Sequence, residues 1–320
     1  MWTMNRNIKY SVPFLFLVLV LAVACQSGYT GSMYQETPTR GNIYIAVDEA
    51  YQLLADSEIA TFSIHYKNAK INPVYASEDS ALSLFMADSV RMMITSRKLN
   101  DNEEAFLKDK LIVPRTTQIA WDALAFLVNR SNRDSLLRYN VIKDMFTGKI
   151  SSWKQVNSKS GLGDLKIVFD NQGSSNVRMV MKRFGITGSL PPYCYSANSN
   201  SQVIDYVESH PESIGIISVN WVSDPDDSIT HNFLGRVKVA GITPSFDPDG
   251  EEYFKPHPAY IADKSYPFIR EVYAISRETF SGLGSGFIKF MANDQGQRIV
   301  LKMGMVPATM PIRLVHISKE

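Results

Sequence analysis

From Gly41 onward, apolar runs of strand length alternate with amphipathic stretches of helix length, and that alternation restricts the chain to an α/β architecture. Residues 42–47 read as a strand, 49–66 as an amphipathic helix and 70–75 as a second strand. The order continues with a helix over 77–88, a strand over 91–94 and a helix over 101–110. An apolar run over 121–128 ends in Asn129-Arg130-Ser131-Asn132, after which the alternation resumes with strands at 167–169 and 214–217. Strands separated by helices imply mostly parallel sheets flanked by helices on both faces. No internal repeat, heptad or low-complexity tract breaks the pattern, so two α/β units joined near residue 120 are the simplest arrangement. Hydrophobic residues make up 45% of the chain, enough to fill a core in each unit.

Residues 1–24 predict an export signal. Arg6 and Lys9 supply positive charge, and residues 12–24 form an apolar run too short to span a bilayer comfortably. Leu21-Ala22-Val23-Ala24-Cys25 resembles a bacterial lipobox, which implies acylation of the Cys25 thiol, cleavage before it and a lipid anchor at the new N-terminus. More than one acyl chain makes such an anchor stable. The alternatives are an ordinary signal peptide with an incidental cysteine, or an uncleaved anchor. Residues 25–40, rich in Ser, Gly, Thr and Gln with Pro38, have the composition of a flexible tether, and folded structure is expected to start at Gly41. With Cys25 lipidated, only Cys194 remains in the exported chain, so no intramolecular disulfide is available. The formal net charge of +1, with Lys and Arg spread along the chain, argues against nucleic acid as a partner.

In open α/β sheets ligands sit beyond the carboxyl ends of strands, so the loops there carry the candidate chemistry. Asp48-Glu49-Ala50 follows the first strand, and reads either as an N-cap with a favourable first-turn acid or as a carboxylate that accepts a hydrogen bond from a protonated oxyanion. Thr95-Ser96-Arg97 follows the third strand with two hydroxyls and a guanidinium, all donors to an oxyanion, although such residues are also common in ordinary turns. In the second unit, Asp170 leads into Asn171-Gln172-Gly173-Ser174-Ser175-Asn176-Val177-Arg178 and a helix through Phe184. Small residues there let the backbone approach an anion that hydroxyls, an amide and a guanidinium surround. The Gly-Lys-Ser/Thr ending of a Walker loop is missing. Two donor-rich loops, one per unit, can close on a single oxyanion.

An enzyme, a metal or an organic cofactor finds no support. His65, His210, His231, His257 and His316 are scattered without paired metal spacing, and no Gly-x-Ser-x-Gly elbow occurs. Gly282-Leu283-Gly284-Ser285-Gly286 lacks the dinucleotide-binding spacing and is not expected to follow a strand. Trp121, Trp153 and Trp221, set among apolar neighbours, read as core or cleft wall.

Several motifs in fixed order resemble the phosphate-binding proteins of bacterial phosphate ABC transporters, over most of residues 41–313. The most specific are Trp121-Asp122-Ala123-Leu124-Ala125-Phe126-Leu127-Val128-Asn129 and Phe146-Thr147-Gly148-Lys149-Ile150-Ser151-Ser152-Trp153, similar to an apolar segment ending in Val-Asn and a Phe-x-Gly-x-Ile-x-x-Trp. Ile214-Gly215-Ile216, Tyr266-Pro267-Phe268-Ile269-Arg270 and Gly304-Met305-Val306-Pro307 are similar to the family's Ile-Gly-Tyr, Tyr-Pro-Leu-x-Arg and Gly-x-Val-Pro. Ser96-Arg97-Lys98-Leu99 resembles its Ser-Arg-x-Leu, and Gly173-Ser174-Ser175-Asn176 falls where it has a Ser-Gly-Thr loop, with Arg178 at a different spacing. Asp48-Glu49-Ala50 replaces a Gly-Ser-Ser/Thr loop and brings negative charge to the expected phosphate.

The resemblance implies a two-lobed periplasmic-binding-protein fold of type II. Residues 41–121 with 243–320 would form one lobe and 122–242 the other, hinged near 122–129. It also implies a monomer that clamps inorganic phosphate without covalent chemistry and hands it to an ABC permease. The chain would then be an exported lipoprotein on the periplasmic face of a bacterial membrane. A carboxylate in the site would accept the proton of monohydrogen phosphate and exclude sulfate. Two other roles fit the same motifs: a binder or sensor of another oxyanion, and a surface lipoprotein scaffold that binds no small molecule.

Overall fold

One long strand organises the fold. The computed structural model describes residues 36–223 and 228–310, so the predicted signal, Cys25 and the first part of the predicted tether lie outside the described residues. The strands are β1 (Gly41–Asp48), β2 (Ala69–Ala76), β3 (Met92–Thr95), β4 (Arg115–Asn129), β5 (Leu136–Leu137), β6 (Lys166–Phe169), β7 (Cys194–Ser196), β8 (Ser213–Ser218), β9 (Val237–Val239), β10 (Gly241–Ile242), β11 (Ile269–Ser276) and β12 (Val306–Pro307). The helices are α1 (Gln52–His65), α2 (Glu78–Met86), α3 (Asp101–Asp109), α4 (Tyr139–Phe146), α5 (Trp153–Val156), α6 (Ser175–Phe184), α7 (Asn200–Ser209), α8 (Ser228–Arg236), α9 (Pro258–Ala262), α10 (Leu283–Met291) and α11 (Asp294–Lys302).

The main sheet runs β2-β1-β3-β11-β4-β8-β6-β7, with β9 and β12 also pairing with β4. Its outer arms are parallel, as the strand–helix alternation predicts: β1 pairs with β2 and β3, and β6 with β7 and β8. The centre is antiparallel, because β11 runs against both β3 and β4, and β4 runs against β8. The sequence pattern did not identify β11. It lies after the second arm, where the chain returns to the first and needs no helical crossover to pair.

Up to Ala123, β4 pairs with β11, and from Leu124 on it pairs with β8, so it passes from one arm to the other without a break. Between Ile119 and Val128 only Trp121 keeps partial exposure. A strand covered on both faces reads as a continuous apolar run, which is why residues 121–128 showed no alternation. One hydrophobic core follows β4 through both arms, from Ile45, Leu54 and Phe62 to Phe126, Trp153 and Phe169. Trp153 is fully buried, and its indole N–H donates to the Glu212 carbonyl at 2.7 Å. Gly148, just after α4, supplies the left-handed turn (φ +82°) that leads the chain towards that tryptophan.

The described end of the predicted tether is folded. Thr37 and Arg40 form an isolated β-bridge, and the Glu36 carboxylate accepts the Leu283 N–H at 3.1 Å. The Pro38 carbonyl lies so close to Gly286 that a Cβ there would stand 1.9 Å from it. The glycine cluster at 282–286 does follow a strand, β11, contrary to expectation. Its helix start is occupied from within, since the Glu278 carboxylate accepts the N–H groups of Gly284 at 2.8 Å and Ser285 at 2.7 Å.

Candidate oxyanion-binding site

The loops after β1, β3 and β6 meet around a buried ion pair on the two central strands. Arg270 of β11 lies directly opposite Asp122 of β4 in the ladder, with Nε 2.7 Å from Oδ2. Both side chains are nine-tenths buried or more. Asp122 also accepts from the Ser218 hydroxyl at 2.7 Å, and Arg270 donates to the Ser175 hydroxyl at 3.0 Å. Burial disfavours the guanidinium charge, but Tyr51, Asp122 and Asp48 raise its pKa. A pair this deep holds because each charge completes the other.

A second ion pair joins the arms. Glu78, on the first turn of α2, is 2% exposed. Its Oε1 accepts from the Thr95 hydroxyl at 2.6 Å and from the Ser96 N–H and hydroxyl, both at 3.1 Å. Its Oε2 accepts from Nε and Nη2 of Arg178 on α6, and Arg178 also donates to the Ser96 hydroxyl at 2.8 Å. Burial works against the Glu78 charge, but Arg178 and Thr95 outweigh it and hold the carboxyl below its ordinary range.

The third group is different in kind. Asp48 is fully buried. Its Oδ1 accepts the Ala50 N–H at 3.1 Å and so caps the 3₁₀ turn at Glu49–Tyr51, while its Oδ2 makes no hydrogen bond of good geometry, although Ser175 is near enough to favour its charge. Burial pushes its pKa up to about 7, the Glu78 charge adding to the rise and Arg270 opposing it. Glu49 reaches across to α7 and accepts the Asn200 N–H at 3.0 Å. Burial raises its pKa as well, against that hydrogen bond. The Ala50 carbonyl accepts from Asn220 at 2.7 Å and the Trp221 indole at 3.0 Å.

Asp170 lies beyond β6, is fully buried, and has neither carboxylate oxygen in a hydrogen bond of good geometry. Burial raises its pKa, although Ser174 and Asn176 are near enough to oppose the rise. Buried atoms of Asn171, Asn176, Asn200, Tyr51 and Arg270 (Nη2) are likewise unpartnered. Native interiors rarely leave so many donors and acceptors open together.

The predicted residues therefore divide. Asp48, Thr95, Ser96, Ser175 and Arg178 converge on the two ion pairs, and Glu49 and Ala50 brace the first loop against the second arm. Ser174 caps α6 through the Val177 N–H at 3.2 Å. Gly173 packs against α2, where a Cβ would come 3.1 Å from Asp79. Asn171 and Asn176 belong to the unpartnered group. Arg97 points elsewhere and makes a bidentate pair with Glu103, at 2.8 and 2.7 Å.

Glu78, Asp122, Asn200 and Arg270 were not singled out as site residues in the sequence. Asp122 and Arg270 were nonetheless visible inside the apolar and Tyr-Pro motifs, as charges placed where the pattern demands burial. Outside the pairs, a hollow of about 400 Å³ is lined by Ser96, Trp121, Arg178, Lys182, Arg183 and Arg270, with Glu271 as its acid, so its mouth is cationic. Among the described residues no group of three or more His, Cys, Asp or Glu could hold a metal ion, and no helix is long and apolar enough to cross a membrane.

A family profile described as a PBP superfamily domain matches residues 32–295. The chain belongs to the PBP superfamily. Among its PBP-superfamily relatives, the phosphate-binding protein PstS of Bacillus subtilis is 22% identical over 314 residues, spanning 96% of each chain. That of Staphylococcus aureus strain USA300 is 26% identical over 241 residues, covering 72% of this chain and 68% of that one. In structure, a phosphate ABC transporter substrate-binding protein from Clostridium perfringens, solved with bound phosphate, covers 84% of this chain at 21% identity with a TM-score of 0.70. An ABC-type phosphate transport receptor from Vibrio cholerae matches with a TM-score of 0.62 at 19% identity, again over 84% of this chain. These likenesses bear out the resemblance drawn from the motifs and the α/β fold. The relatives named here are phosphate-binding proteins.

Proposed function

We propose that this protein captures inorganic phosphate between two lobes, residues 41–121 with 243–320 and residues 122–242, and delivers it to an ABC permease. A lipid on Cys25 would hold it at the periplasmic face of the membrane. The change of β4 partner between Ala123 and Leu124 supports the lobe boundary, because a strand shared by two arms is a natural axis for their relative motion. The lipobox motif supports the anchor.

The observation that carries the ligand is the unpartnered cluster. It contains donors, on Asn176, Asn200 and Arg270, and acceptors, on Asp48, Asp170 and Asn171, all buried and without a partner. A fully ionised tetrahedral anion such as sulfate offers acceptors alone and would face the carboxylates with nothing to give them. Phosphate near neutral pH keeps at least one O–H, so it satisfies both kinds of group at once.

The test is the thermal midpoint of the soluble form, cut after Cys25, with phosphate, arsenate or sulfate at equal ionic strength. A ligand at ~100 times its dissociation constant adds ~2.7 kcal/mol of stability. Phosphate and arsenate should raise the midpoint and sulfate should not. No shift with phosphate, or an equal shift with sulfate, would sink the proposal.

A further inference from the structure

Glu78 does inside the protein what an oxyanion would do between its lobes. Its two oxygens take two hydroxyls and an amide from the end of β3 and a guanidinium from α6 on the other arm. Hydroxyls, a backbone N–H and a fork of guanidinium donors are the set that proteins use to hold phosphate and carboxylate ligands. The two hydroxyls, the amide and the Nε and Nη2 of Arg178 are all engaged with Glu78 or with one another. The Ser96 hydroxyl donates to Glu78 and accepts from Arg178, so the three groups form a closed ring. Near them, Arg178 and Arg270 line a cationic mouth through which an anion would come.

The contact also ties the arms together. Glu78 and Ser96 belong to the arm of β1 to β3, while Arg178 sits one turn into the helix that follows β6. An anion entering from the mouth would find its donors taken by a tethered carboxylate whose local concentration is high and whose hydrogen bonds are already formed.

We propose that Glu78 is a built-in competing anion: it occupies the donor set of Thr95, Ser96 and Arg178, latches the two arms together, and must be displaced before an external oxyanion can use those groups. The inference rests on reading the cleft as an oxyanion site. It makes Glu78 a residue that sets the affinity of that site, and Arg178 and Ser96 shared partners that pass from an internal to an external anion.

Two variants separate the possibilities. Glu78→Ala vacates the carboxylate's place, and sodium formate, a carboxylate small enough to enter it, should raise the melting temperature of this variant by several degrees at constant ionic strength while leaving the wild type unchanged. Glu78→Gln keeps the side chain's shape and removes its charge, and should bind phosphate about tenfold more tightly than the wild type by isothermal titration calorimetry. If Glu78→Ala does not fold, the Glu78→Gln comparison decides alone.

Weaker or equal phosphate binding by Glu78→Gln overturns the inference and leaves the phosphate reading standing. Formate acting equally on Glu78→Ala and the wild type also overturns it. Selective rescue by formate with no phosphate binding by any of the proteins supports the latch and instead removes phosphate as the ligand.

Discussion

Two polar clusters lie beyond the carboxyl ends of different parallel strands, one after β2 and β3 and one after β6 and β7, and they have opposite hydrogen-bond economies. Around Glu78 each carboxylate oxygen is taken, by Thr95 and Ser96 on one side and Arg178 on the other. Around Asp170 both carboxylate oxygens and the side chains of Asn176 and Asn200 are buried with no partner. Burial alone cannot explain the contrast, since Glu78 and Asp170 are both almost completely hidden from solvent. A saturated cluster strengthens the fold as it stands. An unsaturated one costs stability until something completes it, whereas the saturated one must first be opened before an external anion can use its donors.

The most severe way to break the comparison is to damage the buried ion pair between the two clusters. Arg270→Met leaves Asp122 buried with the Ser218 hydroxyl as its remaining donor, and should cost about 3–5 kcal/mol of unfolding free energy in urea. A loss below about 1 kcal/mol would show that the pair contributes no more than an exposed one.

The unpartnered acids predict a dependence on pH. Asp48 is raised to about 7, and Glu58 of α1, whose two oxygens are also unpartnered, is pushed up by burial to about 9. A carboxyl with a raised folded-state pKa contributes stability that is fully present below its unfolded pKa. That contribution falls as pH rises and is gone above the folded value. Each acid should therefore give a negative slope of about 1.4 kcal/mol per pH unit, from near pH 4 to 7 for Asp48 and from near 4.5 to 9 for Glu58. Asp48→Asn and Glu58→Gln should each flatten their own window. Only Asp48→Asn should also weaken phosphate binding, because Glu58 lies outside the site. An unchanged pH profile in Asp48→Asn would contradict the assignment.

Asp170→Asn sharpens the contrast from the other side. It removes a charge that nothing in the protein completes, so unfolding free energy near neutral pH should hold or rise by about 1 kcal/mol while phosphate affinity falls about tenfold. A fall in stability with intact binding would place Asp170 with the structural acids. The smallest effect is expected for Arg97→Ala. Arg97 is spent on Glu103, partly exposed, so the change should cost under about 1 kcal/mol and leave the phosphate titration where it was. A loss of binding would return Arg97 to the site.

Most of the fold was legible because each arm is built from the alternation that the sequence displays. The strand at Gly41–Asp48 begins and ends within one residue of the pattern, and the helix at Ser175–Phe184 ends where expected but starts inside the stretch read as a loop. What escaped was β11 and the antiparallel centre. No periodicity within a segment states which strand it will lie beside, and β11 pairs with strands more than a hundred residues earlier in the chain. The same limit applied to the site. Ser96 and Arg178 were visible as donors, but Glu78 had no local mark, since an acid on the first turn of a helix is an ordinary stabilising residue.

The sequence by itself determined the architecture of the arms, the long buried strand between them, the family motifs and the three loops that carry the donors. Those features depend on contacts within a few residues or on runs of apolar side chains, and both are written locally. Tertiary structure alone decided which charges meet. It set Arg270 opposite Asp122, gave Arg97 to Glu103 instead of to the cleft, and brought Glu78 to Arg178 across the gap between arms. It also left Asp48 and Asp170 buried and incomplete. The fate of a charge depends on distance and burial in three dimensions, and neither is a property of its neighbours in the chain.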